Sequence, residues 1–527
     1  MGRQPIVVFS IALTIVVVLA YTLAGAIVRP SMYGDSGFGF LVWDSMRHGA
    51  AFNHLVHPDP ANLAKDASEF FTTWSPGQYL LPGGFEMLGV DLGLAIILID
   101  GIFAALGLAG WFFLYRAFGF PLLTAALTVA MVACSRHLAL PFGIYNGGEI
   151  LLFGGVPWFC LLAWRLRDFR WIAVPLLLAG AFVLIFLKLS GLIIAACALG
   201  AAALCADGSW LRREPIRRAV MAGAIAGAMG LIFYFAWFTR GWNVLTTATP
   251  FDGSKVVPHA AFVTFATWGS SLSAGDLFNY IFLRPGAQLV RSATPLFLAA
   301  VPVVIGTCIF TWWRLRAGYR EYLRFAFLFA AAFALVMVVI WSRGADIELE
   351  ERYFRPASLL LLVGFVHALL GLPSRFARGL FLTAAAAMSL YGVSSFVVHA
   401  RENLRHSLGV RGFRQHIASP AAVDFLQSID TVAADGSRPV VLVPSPEIGL
   451  DLRRARVLAI LADFEEPELL KSRVYHGRVP ALYVLIQKKL VANGKADIIL
   501  RSFVDTPIES WKLLPIDDQF VAYAALR

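Results

Sequence analysis

The sequence predicts a polytopic α-helical membrane protein of about eleven transmembrane helices, followed by a small C-terminal extracytoplasmic α/β domain. Three observations carry that reading. The chain of 527 residues is 58% hydrophobic and only 15% charged, with a mean hydropathy of +0.70, whereas a soluble domain carries roughly 25% charged residues. Apolar runs of about twenty residues, the length a ~30 Å hydrocarbon core requires of a helix, recur through residues 1–398. Beyond residue 398 the composition turns abruptly charged. An ordinary soluble enzyme, a disordered chain and a disulfide scaffold are thereby excluded. All five cysteines (Cys134, Cys160, Cys197, Cys205, Cys308) fall inside apolar runs, so no disulfide framework or thiolate metal site is implied.

Spans are expected at 6–28, 93–115, 121–140, 147–164, 171–187, 189–206, 219–238, 293–313, 325–342, 357–371 and 379–398. The first has an apolar run of about 23 residues, longer than the 7–15-residue core of a signal peptide. It reads as an uncleaved anchor entering from the cytoplasm. Eleven spans from that start put the tail outside, in a multi-pass protein of the cell (inner) membrane. The connections then expected inside (1–5, 116–120, 165–170, 207–218, 314–324 and 372–378) hold 15 Lys and Arg against 4 Asp and Glu, which is the positive-inside bias. The net charge of +10 is therefore a topology signal, and no nucleic-acid partner is called for.

Three outer segments are long or polar: 29–92, 239–292 and 343–356. With them, residues 1–398 form the transmembrane domain and 399–527 a soluble extracytoplasmic α/β domain. In the tail, Ser419-Pro420 marks a helix start, serine as cap and proline at the first helical position. Strand-like runs follow at 439–443, 481–486 and 520–525. No internal repeat stands out, which weighs against the inverted-repeat transporters.

Several residues stand where chemistry could be done. Tyr33-Gly34-Asp35-Ser36-Gly37-Phe38-Gly39 puts one carboxylate between glycines just past the first span. The glycines would let backbone approach a ligand closely, and Asp35 could act as general base on an incoming hydroxyl. The plain alternative is an aspartate at a helix end. Ser75-Pro76-Gly77-Gln78-Tyr79 has the form of a capping box, Ser75 as cap and Gln78 at the third position, with Trp74 and Tyr79 as its staple. It predicts a short helix over 76–88, a structural element near the site. Glu149, after Tyr145-Asn146-Gly147-Gly148, opens the helix expected at 147–164, where the helix dipole favours a carboxylate.

Lys188 is the lone cation in about 36 apolar residues, where an unpaired charge at the bilayer centre costs ~2.5–3.5 kcal/mol. It either has a task or snorkels to lipid headgroups. Asp100 is a similar oddity in the second span. In the run 346–356, Glu348–Arg352 and Glu351–Arg355 stand four apart, so helical ion pairs are the plain reading. The functional one is Arg352 forked onto a phosphate, with Tyr353 on the sugar or lipid head. No cofactor follows from the residues. His54, His57 and Asp59 are candidate ligands for a divalent metal, against the alternative of solvated loop side chains.

In order and membrane side, these residues resemble the polyprenyl-phosphate-sugar-dependent glycosyltransferases of the GT-C superfamily, of the protein O-mannosyltransferase and lipid A aminoarabinose transferase types. The resemblance covers about residues 5–400. Its carriers are Asp35, Ser75-Pro76-Gly77-Gln78-Tyr79 (where the family often reads His-Pro-Pro-Leu), Gly148-Glu149, Lys188 and Glu351-Arg352-Tyr353. It implies a GT-C-like fold and an inverting glycosyltransferase, hexosyl or pentosyl, acting at the periplasmic face. Sugar would pass in one step from a polyprenyl monophosphate to a hydroxyl of a glycan, lipid or protein acceptor, among membrane lipids. Asp35 would take the proton, and Lys188 and Arg352 would stabilise the leaving phosphate. Tyr353 and Glu351 would line the donor site, and Glu149 would orient the acceptor or tune Asp35. The rival classes are a transporter or flippase working through Asp100 and Lys188, and a non-catalytic envelope-assembly subunit.

Overall fold

The computed structural model describes residues 3–205, 213–241, 250–273, 289–345, 347, 349–459 and 473–526. The chain divides into two compact units. The first comprises Met1–Leu23, Asp100–Pro141 and Gly148–Val397, and the second Ala24–Ile99, Phe142–Gly147 and Val398–Arg527.

The first unit is helical. Among the described residues of the chain, seven helices are long and apolar enough to cross a membrane, or eight if one bent pair counts as a single span. The bent pair corrects the expected straight span at 121–140: Leu122–Ala133 meets Arg136–Phe142 at 54°. The break falls where Ser135-Arg136-His137 interrupts the apolar run, with Ser135 extended (φ −75°, ψ 150°). The backbone of Gly392 packs so closely against the carbonyl of Cys134 that a Cβ there would collide with it. The spans expected at 171–187 and 189–206 are apolar helices of 15 residues each, Ala173–Leu187 and Gly191–Cys205, below the roughly 20 residues of a straight crossing.

The segment 239–292, expected as long or polar, is not polar throughout. Its described part includes the apolar helix Val256–Gly269, which packs against the helices Leu289–Leu315, Arg320–Ser342 and Arg355–Leu370. Aromatic rings fill the space between helices elsewhere in this unit. Phe120 stacks on Tyr319 with ring centres 4.6 Å apart, and the Tyr322 hydroxyl donates to the Leu360 carbonyl at 2.8 Å.

The second unit contains a five-stranded sheet in the spatial order Arg456–Ala459, Val440–Val443, Ala481–Gln487, Phe520–Leu526, Lys512–Pro515. The first three strands run parallel and the remaining pairings are antiparallel. The central strands read as unbroken apolar runs because both faces are covered. Leu442, Val484 and Ile486 enter one core, and Val441, Val443 and Leu485 the other. Three strands lie where the sequence places them. The two edge strands, with Arg456, Lys512 and Pro515 in them, carry the charges and proline that a sheet edge tolerates and that mask a strand pattern. The helix Pro420–Ile429 begins as expected, the Ser419 Oγ accepting the Ala422 N–H at 3.1 Å. The same unit holds the helices Gly34–Arg47 and Gly77–Glu86 and the hairpin His54–Asp59/Asn62–Phe70.

A buried guanidinium ties these pieces together. Arg411 forks onto Glu86 at 2.6 and 2.7 Å and pairs with Asp44, while Trp43 Nε1 donates to Glu86 at 2.9 Å. Burial pushes both carboxyls up. In Glu86 the charge and hydrogen bonds of Arg411 win and its pKa ends below the ordinary value; in Asp44 burial wins and it ends above.

Asp451 provides a pH-dependent test of this unit. Burial pushes its carboxyl up to about 6, against the Val410 N–H and Gln415 Nε2 donors at 2.7 and 2.8 Å that pull it down. The folded protein thus prefers the neutral acid. Its contribution to stability falls as pH rises from ~4 to ~6 and is flat above, a change of about 3 kcal/mol. In denaturant unfolding of the full chain between pH 4 and 7, Asp451→Asn should lack that component. Equal pH slopes in the two proteins would contradict the assignment.

Candidate functional site in the helical unit

Glu149 is placed by its backbone. Gly147 takes a positive φ of 78°, a conformation that favours glycine, and Gly148 caps the helix Glu149–Arg165. The carboxylate sits in the first turn, 5% exposed, where the dipole favours its charge. Lys188 is placed by the end of a helix. It caps Ala173–Leu187 in an extended conformation (φ −159°, ψ 140°), and its carbonyl accepts the Gly191 N–H at 2.8 Å as the next helix begins. Only glycine fits at 191, because a Cβ would strike the Leu184 carbonyl.

These two side chains meet. Lys188 Nζ forms a buried hydrogen-bonded ion pair with Glu149 Oε1. Arg352 joins from a third element, the 3-10 turn Glu351–Phe354 that leads into the helix Arg355–Leu370. Its Nε lies 3.6 Å from the same Glu149 oxygen, and it also pairs with Glu350. Tyr353 stands beside both cations, its ring centre 5.5 Å from Lys188 Nζ and 5.4 Å from the Arg352 guanidinium carbon, a cation–π arrangement. The fully buried Phe354 anchors the turn among Phe333, Trp341 and Phe262, at ring-centre distances of 5.5, 5.9 and 6.3 Å. Residues from three separate stretches of the sequence are thus brought together, with Glu351 buried at the start of the turn.

One plain alternative falls. Lys188 does not snorkel, because the residue is 8% exposed and its ammonium is paired with Glu149. The carboxylates facing Arg352 are Glu149 and Glu350; Glu348 lies outside the described residues. The sequence reading passed over Glu350, which stood in an acidic run, and His137, whose signal was the polar triplet Ser135-Arg136-His137. His137 lines a cavity of about 20 Å³ with Glu149, Ser135, Ser271 and Arg355. Both of its ring nitrogens are buried without a hydrogen-bond partner among the described residues. Asp100 is fully buried, with neither carboxylate oxygen hydrogen-bonded among the described residues.

The other sequence candidates lie in the second unit. Asp35 is half-buried in the first turn of Gly34–Arg47. The glycines around it serve protein packing, which corrects the expectation of a ligand approach. A Cβ on Gly37 would lie 2.6 Å from the Glu447 backbone nitrogen, one on Gly34 2.6 Å from Ser445 Oγ, and one on Gly39 2.6 Å from the Tyr79 ring. The capping box does not form. The short helix runs Gly77–Glu86 with no side-chain cap bond, and Gln78 Nε2 has no hydrogen-bond partner among the described residues. Gln78 is turned toward Gly147 instead, its Oε1 filling the space a side chain there would need, and Ser75 is buried. His54 bonds Ser68 Oγ at 3.0 Å, His57 the Pro58 carbonyl at 2.9 Å, and Asp59 the Ala61 N–H at 2.8 Å. Among the described residues no three His, Cys, Asp or Glu side chains converge as metal ligands.

The fold is that of a multi-pass α-helical membrane protein, and solved structures share it. The solved structures of similar fold include ArnT from Cupriavidus metallidurans in the apo state, with a TM-score of 0.52 at 12% identity over 98% of this chain and 97% of that one. They also include ArnT from the same organism bound to undecaprenyl phosphate, with a TM-score of 0.53 at 13% identity over 98% of both chains. The mycobacterial arabinofuranosyltransferase AftD aligns with a TM-score of 0.45 at 15% identity, and this chain covers 42% of its length. No family model and no curated protein sequence matches the chain.

Proposed function

We propose that the protein is an integral-membrane inverting glycosyltransferase that moves a sugar from a polyprenyl-monophosphate carrier to an acceptor hydroxyl at the extracytoplasmic face. The observation that carries this reading is the buried Glu149–Lys188–Arg352 cluster with Tyr353, in a chain sharing its fold with a structure that holds undecaprenyl phosphate. Two cations converging in an apolar helical unit suit a phosphate that arrives from the lipid phase. A charge near hydrocarbon is tolerated when another charge meets it.

In the proposed reaction the acceptor oxygen attacks the anomeric carbon and its proton passes to Asp35. The bond from that carbon to the phosphate oxygen breaks, and the electron pair leaves with the polyprenyl phosphate. Such a leaving group needs charge stabilisation, the work of a preorganised ammonium and guanidinium. Glu149 holds both donors in place and yields part of their hydrogen-bonding capacity to the phosphate. Tyr353 would contact the sugar or lipid head, and Glu351 would line the same site.

The test gives purified protein in detergent either a polyprenyl-monophosphate sugar or a nucleotide sugar, with glycan, lipid and peptide acceptors. Transfer from the lipid-linked donor alone is expected. Transfer from a nucleotide sugar without a lipid carrier would defeat the proposal. The reading also requires the N-terminus inside and residues 399–527 outside. A reporter active only outside the cytoplasm, fused after Arg527, should be active, and a cytoplasm-only signal would break the proposed orientation.

A further inference from the structure

The second unit contains a cavity of about 640 Å³, within the roughly 300–1,000 Å³ of small-molecule pockets. Five arginines line it: Arg47, Arg411, Arg438, Arg453 and Arg456. Its four carboxylates already have partners. Asp44 and Glu86 hold Arg411. Asp66 holds Arg456 at 2.6 Å, whose guanidinium also donates to the Leu63 carbonyl at 2.7 Å. Asp91 pairs with Arg29 at 3.0 Å and accepts the Leu94 N–H at 2.9 Å.

Three guanidiniums remain with donors to spare. Arg453 is exposed and makes one long side-chain hydrogen bond, 3.5 Å to the Val410 carbonyl. Arg438 stands 3.6 Å from Asp66 and Arg47 3.3 Å from Glu86, in both cases a carboxylate that another arginine holds more closely. Each guanidinium carries five N–H donors and no acceptor. Among the described residues the wall therefore offers an excess of charged donors and no uncommitted carboxylate. The matching ligand is an oxyanion, and the planar fork of arginine suits phosphate. Phosphate alone leaves most of the cavity unfilled. The described lining has no Phe, Tyr or Trp for a base to stack on, while Leu41, Leu55 and Val457 offer apolar contact for the C–H face of a sugar ring.

We propose that this cavity binds a phosphate-bearing saccharide through Arg47, Arg438 and Arg453. The proposal uses no residue of the Glu149 cluster and does not depend on the transferase reading. The test titrates the purified full chain in detergent calorimetrically with glucose 6-phosphate, glucose and inorganic phosphate. The phosphate of glucose 6-phosphate is not on the anomeric carbon, so it is a poor mimic of a glycosyl donor. Glucose 6-phosphate should bind at least tenfold more tightly than either other probe, and more weakly as salt rises. Arg438→Gln/Arg453→Gln should weaken it at least tenfold with the unfolding midpoint unchanged, and Arg47→Gln, on another element, should do the same. Binding unchanged in both variants would overturn the proposal, as would no binding to the unaltered protein at millimolar concentration. Equal affinity for inorganic phosphate would overturn the saccharide assignment.

Discussion

Replacing Lys188 by methionine is expected to destabilise the helical unit by about 3 kcal/mol, the lower end of the range for removing one partner of a buried ion pair, and to remove transfer. The lower end applies because Arg352, 3.6 Å from the same Glu149 oxygen, still compensates part of the stranded charge. Adding Glu149→Gln to Lys188→Met removes that charge and should recover most of the lost stability. Transfer should stay absent in the double variant, because the ammonium proposed to meet the phosphate is still missing. Unfolding in detergent and donor turnover, measured on both variants, separate the two roles. Single and double variants of equal stability would show that the pair is not coupled.

Asp35→Asn is expected to cut transfer by ~10²–10⁴-fold, the range for loss of a general base, while the protein folds normally. The side chain is half-buried in the first turn of its helix. Asparagine keeps the size of aspartate and most of its hydrogen bonding but cannot accept a proton as a base, so the fold should persist. Near-normal turnover by purified Asp35→Asn protein would leave Asp35 as a helix-end acid and make Glu149 the next candidate base.

Much of the site was legible in outline. Lys188 announced itself because a cation in about 36 apolar residues is costly unless paired, and Glu149 because it follows two glycines at a helix start. Their pairing was not legible. They are 39 residues apart, and nothing local indicates that the end of one helix faces the start of another. The glycines around Asp35 misled for a related reason. A sequence shows that a backbone must be approached closely, but not whether a ligand or, as here, Glu447, Ser445 and Tyr79 approach it. Gln78 had the spacing of a capping box, yet a long-range partner, Gly147, drew its side chain away.

Hydrophobic periodicity and run length are local, so the sequence by itself determined that this is a polytopic helical membrane protein, where the chain breaks at Lys188, and which runs form the central strands of the tail. The tertiary structure alone decided that 121–140 is bent at Ser135, that Val256–Gly269 is a packed helix, and that Glu149, Lys188, Arg352 and Tyr353 form one cluster. It alone built an arginine-lined cavity from segments between residues 41 and 457. The physical reason is that a buried charge is stabilised by whatever opposite charge folding brings within ~4 Å of it, and that partner is set by packing between distant elements, not by neighbours in sequence.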